Sequence, residues 1–137
     1  MIAIISELEN KVEEFVALHD FFGGFDFTLG GNWDYEHGYF DRFLDDAHMV
    51  WLRIPFEVTS GTMDGDSASS NAIVKVGSPF VLKHIYNEGL DPEAVPNVYG
   101  SLINQFQEPV DKDADIEAHW VEQAKHILQE VEMSFLQ

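Results

Sequence analysis

From Met49 to Thr59 the chain alternates without interruption: Val50, Leu52, Ile54, Phe56 and Val58 against Met49, Trp51, Arg53, Pro55, Glu57 and Thr59. A period of two over this length places the two sets on opposite sides of one strand. The first set is wholly apolar, so this strand lies on a core and another layer must cover it. Pro55 has no N–H to give to a ladder, which predicts that the strand is an edge there or carries a bulge.

The covering layer is legible at both ends of the chain. Ser6 and Glu9 have capping-box spacing, and Leu8, Val12, Phe15, His19 and Phe22 follow as one stripe at a 3.6-residue period. This predicts a helix that Gly23-Gly24 ends, with His19 a core histidine. Near the C-terminus, Asp113 or Asp115 is the expected cap of a long helix. Its stripe is Ile116, Trp120, Ala124, Ile127, Val131 and Phe135, flanked by Val121 and Leu128.

Further strands fill the interval. Phe25, Phe27 and Leu29 alternate with polar neighbours, and a strand continues through Tyr35 to a tight turn at Glu36-His37-Gly38. A return strand runs from Tyr39 to Leu44. Residues 60–71 are a Gly/Ser/Asp-rich loop, 72–76 and 79–86 form one strand broken at Gly77-Ser78-Pro79, and Val98 to Phe106 form the last strand. The expected fold is α+β: a single domain over 1–137, with an antiparallel sheet of about five to six strands and both helices on one face. On this register Met49, Trp51, Val81, Ile85, Tyr99 and Ile103 point away from the helices. An apolar outer row on a sheet invites a partner, most simply a second copy of the chain.

Charge narrows the partners. Twenty-five acids against seven bases give a net charge of -18, which repels nucleic-acid phosphates and anionic membranes. It would attract cations or a basic partner, although solubility alone accounts for it. There is no cysteine, so thiolate metal sites and cysteine nucleophiles are excluded. MIAIISELENK has no basic region leading into a long apolar run, and a cytoplasmic protein is expected by default.

Four phrases in order, GGNWDYEHGYFD at 30–41, LRIPFEV at 52–58, VGSPFVLKHIYNEGLD at 76–91 and NQFQEPVDKDA at 104–114, resemble the YugN-like family of Bacillus and its relatives. The resemblance runs from about residue 20 into the C-terminal helix, and implies a small cytoplasmic α+β protein. It brings no activity, cofactor or catalytic residue to carry onto these positions.

The densest chemistry lies in GGNWDYEHGYFDRF, residues 30–43. Trp33, Asp34, Glu36, His37 and Asp41, with Arg53 from the next strand, are the candidate ligand-binding residues. A histidine between two carboxylates can serve proton transfer or bind a hard cation. Turn chemistry and cross-strand aromatic pairing explain the same residues without a ligand. His119, Glu122, His126 and Glu130 form a helical stripe of metal-ligand types, but they lie opposite the apolar face, where solvated charge belongs, so no metal is expected. Lys83 is expected at the sheet rim with its charge on an acid, and Gln105, Gln107 and Glu108 could line a cleft. No nucleophile elbow, phosphate loop or dinucleotide fingerprint is present. The leading expectation is therefore a non-enzymatic protein that associates through the outer sheet face, centred on Met49, Trp51, Val81 and Ile85, with no cofactor. The alternative is a small-ligand binder or hydrolase built on the hairpin.

Overall fold

The computed structural model of the chain describes residues 1–63, 70–84 and 115–135. The alternating segment forms β5, Val50–Ser60, which is the centre of the sheet. Along one side it pairs with β4, His37–Phe43, which in turn carries the two-residue β3, Thr28–Leu29. Its other side is shared by two short strands: β7, Phe80–Lys83, pairs with Val50 to Arg53, and β6, Ile73–Val76, pairs with Phe56 to Ser60. The N-terminal β1, Ile2–Ala3, adds to β7, and β2, Val12–Glu14, adds to β6. All pairs are antiparallel, which makes a seven-stranded sheet among the described residues.

Pro55 is thus central, which corrects the expected edge. The Pro55 carbonyl accepts from Gly77 N–H at 2.8 Å, so the side on which an N–H is missing faces the break at Gly77-Ser78-Pro79. Two short strands end to end along β5, with their break at Pro55, spare the sheet an unmade bond. The register shift lies further on, between Val58 and Ser60.

Val50, Leu52, Ile54 and Phe56 enter one core with Phe40, Val74, Val76 and Val81. Helix α1, Phe15–Gly23, lays Phe15, Leu18 and Phe22 on that face. Phe22 lies 5.0 Å from Phe40 between ring centroids, and Phe40 lies 5.1 Å from Phe56. Helix α2, Ala118–Phe135, buries Ala124, Ile127, Leu128 and Val131 in the same core and meets α1 where Phe135 packs edge-on against Phe21 at 5.4 Å. Gly38 faces the ring of Phe56 directly: a Cβ there would stand 2.4 Å from Phe56 Cζ, so the ring occupies the space that any side chain would need.

The first helix begins eight residues later than the Ser6 signal predicts, at Phe15 with Glu14 as its cap. Asn10 takes a left-handed φ of 70°, and its N–H donates to Val76 O while Lys11 O accepts from Val76 N. Backbone groups that a helix would bond internally are claimed here by β6. Ser6 is no cap: its hydroxyl accepts from Leu8 N–H and donates to Glu132 Oε1 of α2 at 2.6 Å. The expected strand at 25–35 shrinks to Thr28–Leu29, because Asp26 is left-handed at φ 66° and the chain loops from Gly30 to Glu36. Glu36-His37-Gly38 is not the turn; His37 and Gly38 pair with Glu57 and Phe56 inside the sheet. The expected strand at 98–106 and the proposed cap Asp113 lie outside the described residues, as do Ile85, Tyr99, Ile103, Gln105, Gln107 and Glu108. Among the described residues no helix is long and apolar enough to cross a membrane.

Candidate functional site

The face of the sheet away from the helices is set by the β4–β5 register: His37 opposes Glu57, Tyr39 opposes Pro55, Asp41 opposes Arg53, and Phe43 opposes Trp51. Its central feature is an arginine held on three sides. Arg53 Nε donates to Asp41 Oδ1 at 2.8 Å and an Nη2 donates to Oδ2 at 3.0 Å, a bidentate pair with side chains 15% and 14% exposed. The guanidinium carbon lies 4.7 Å from the Tyr39 ring centre and 4.9 Å from that of Trp51, so the cation sits between two aromatic rings. Gly30 makes room for the carboxylate, since a Cβ there would lie 2.8 Å from Asp41 Oδ2.

The aromatic row continues beyond Trp51. Phe43, 45% exposed, meets Trp51 edge-on at 5.3 Å and stacks on His48 at 3.9 Å. His48 is fixed by its own loop: its carbonyl accepts from Trp51 Nε1, and Asp45 accepts from the N–H groups of Met49 and Val50. His84 lies 5.3 Å from Trp51 on the other side. Tyr39, Arg53, Trp51, Phe43 and His48 thus form a continuous platform, and Asp41, the acid set among them, is neutralised by Arg53.

The six hairpin candidates divide into two groups. Asp34 closes the loop as an Asx turn, accepting from Glu36 N–H and His37 N–H at 2.7 Å each, with His37 Nδ1 3.8 Å away. Those two backbone hydrogen bonds hold its carboxyl below the ordinary carboxylate range. Asp41 and Arg53 form the second group. His37 and Asp41 share a face but stand four residues apart, about 13 Å along a strand. Trp33 packs against the core from the loop, edge-on to Tyr35, and the Glu36 side chain is exposed while its carbonyl accepts from Val58 N–H. Arg53 finds its acid in Asp41, and the histidine between two carboxylates is not assembled, since Asp41 stays apart from Asp34 and His37.

Of the outer-face candidates, Met49 and Trp51 lie half-buried at the platform. Val81 does not: it opposes Leu52 and is 0% exposed within the core, so the row drawn through it is corrected. The residues facing outward on β7 are its neighbours Phe80, opposite Arg53, and Leu82, opposite Trp51 and 4% exposed. Ile85 lies outside the described residues. Lys83 finds its acid, donating to Glu117 Oε1 at 2.7 Å, and this hydrogen bond holds the Glu117 carboxyl below its usual range. His119, Glu122, His126 and Glu130 all face solvent, with Lys125 3.4 Å from Glu122.

Tyr39, Phe43 and His48 are absent from the candidates read from sequence, although the alternation of β4 already puts Tyr39 and Phe43 beside Asp41. Cross-strand register to Trp51, which sequence does not give, is what joins them.

The YugN-like family profile matches residues 3–135. The chain is 34% identical over 107 residues, 77% of each sequence, to a protein of Bacillus subtilis (strain 168) named "Uncharacterized protein YugN". It also superposes on the crystal structure of an uncharacterized conserved protein YugN from Geobacillus kaustophilus HTA426 with a TM-score of 0.66, covering 96% of this chain and 92% of that one at 21% identity. That likeness concerns the fold.

Proposed function

Since the chain belongs to the YugN-like family, whose matched relative and solved structure carry no named activity, we propose that it is a non-enzymatic cytoplasmic protein that acts by association of two copies through the outer sheet face. The observation that carries this reading is Arg53, held by Asp41 between Tyr39 and Trp51 beside the exposed ring of Phe43. Arginine, tryptophan and tyrosine are the usual anchors of interfaces, and an arginine already fixed loses little freedom on docking.

Charge selects the occupant. Two chains of net charge -18 repel at most of their surface. Among the described residues the acid at the centre of the platform, Asp41, is paired with Arg53, so two copies can meet there without opposing free carboxylates at the centre. The separation of Asp34 and His37 from Asp41 and Arg53 supports the non-enzymatic part, and the lack of cysteine is consistent with a reducing compartment.

Sedimentation velocity over a concentration series tests the reading. The expected species at high micromolar concentration has twice the 15.6 kDa chain mass. Phe43→Glu is expected to return it to monomer with the fold intact by circular dichroism. A wild-type chain that stays monomeric, or a dimer indifferent to Phe43→Glu and Trp51→Ala, would overturn it.

A further inference from the structure

A second feature occupies the far end of the same face, beyond Tyr39 and Pro55. His37 opposes Glu57 across β4 and β5, and Glu57 opposes Lys75 across β5 and β6, so the three form one row perpendicular to the strands. Directly opposed residues stand roughly 5 Å apart at Cβ, so the row spans about 10 Å. It borders a groove of about 290 Å³ to which Asn10, Pro55 and Gly77 also contribute. The groove depends on the glycine: a Cβ on Gly77 would stand 3.0 Å from Pro55 Cγ and narrow its floor.

Two members of this row, Glu57 and Lys75, make no side-chain ion pair among the described residues. Arg53 is paired with Asp41, Lys83 with Glu117 and Lys125 with Glu122, and Arg42 donates to Phe25 O. Lys75 is half-buried at the groove and makes no side-chain ion pair or hydrogen bond among the described residues. Lys11 is likewise half-buried without a side-chain partner among the described residues, but of the two only Lys75 lines the groove. Glu57, though directly opposite, makes no ion pair with it either. A positive and a negative group thus stand side by side over an apolar floor, each open to a ligand. At the far end His37 is oriented by Asp34, whose carboxylate lies 3.8 Å from Nδ1.

We propose that this groove binds a small zwitterion of the α-amino-acid class, its carboxylate on Lys75, its ammonium on Glu57 and its side chain over Pro55 and Gly77. Adjacent opposite charges match a molecule that carries both, whereas a simple anion would meet Glu57 and a simple amine would meet Lys75. The volume is at the small end for ligand sites, which suits a single amino acid. This site does not rest on association at the platform.

The test is a backbone-amide NMR titration of the whole chain with each common amino acid at millimolar concentration, beside acetate, propionate and ethylamine at matched ionic strength. At least one amino acid is expected to shift the amides of His37, Glu57, Lys75 and Gly77 saturably. Losing one charge-assisted contact by Lys75→Met or Glu57→Gln is expected to weaken binding about tenfold or more, with Lys75→Arg largely retaining it. Equal affinity for propionate or ethylamine would overturn the proposal, as would a panel in which no amino acid moves those amides. Both of these are read on the wild-type chain, so a variant that fails to fold does not decide the question.

Discussion

Gly38 sits inside a fully paired strand, one residue from its start, where glycine ordinarily weakens a sheet, and it is there because the ring of Phe56 crosses its Cα. Gly38→Ala forces Phe56 out of its contacts with Phe15 and Phe40, and overpacking of this kind costs roughly 1–3 kcal/mol. Urea unfolding is expected to show that loss as a lower midpoint with an unchanged slope. Asp34 acts through charge rather than volume. Its carboxyl is depressed by the N–H groups of Glu36 and His37, so its contribution is present above the unfolded carboxylate value of about 3.9 and fades as pH falls through the lower folded value. Asp34→Asn keeps an acceptor but removes the charge. The stability gap between wild type and variant is therefore expected at neutral pH and should close in acid, as unfolding midpoints measured across that range will show.

At the scale of elements, two polar contacts bind helix to sheet. Lys83 of β7 reaches Glu117 at the start of α2, and Ser6, after β1, reaches Glu132 near its end. The second contact is the better sheltered. Ser6 is 8% exposed, and Glu132 also accepts from Glu7 N–H. Hydrogen bonds to charged groups contribute about 1.5–3 kcal/mol, so Ser6→Ala is expected to lower stability within that range and to raise hydrogen exchange along β1. The same contact explains why the sequence misleads at Ser6. Capping-box spacing describes a local preference, and here a partner 126 residues away takes the hydroxyl while β6 takes the backbone of Asn10 and Lys11.

For the whole molecule, charge and platform oppose each other. Raising salt shortens the screening length from about 10 Å at 0.1 M to about 3 Å at 1 M, which relieves repulsion between two chains of net charge -18. Stacked rings and a paired guanidinium respond much less. The proposed dimer is therefore expected to tighten as sodium chloride rises, measured by sedimentation equilibrium; weakening with salt would mean that ion pairs between copies hold it.

The period of two at 49–59 and the period of 3.6 at 116–135 marked the long strand, the last helix and the α+β class, though not the strand's central place, because each pattern is a local record of which side meets the core. The resemblance of four ordered phrases had likewise indicated the family. What only the tertiary structure decided is everything that depends on register. Arg53 lies opposite Asp41, Glu57 between His37 and Lys75, and Val81 beneath the helices rather than on the outer face. A one-residue slip in pairing turns a side chain to the other side of a sheet, and no local pattern in β7 or β6 records which partner residue it will meet. Both candidate surfaces are products of cross-strand pairing, β4 with β5 at the platform and β5 with its neighbours at the groove, which is why the hairpin looked like one site and folds as two.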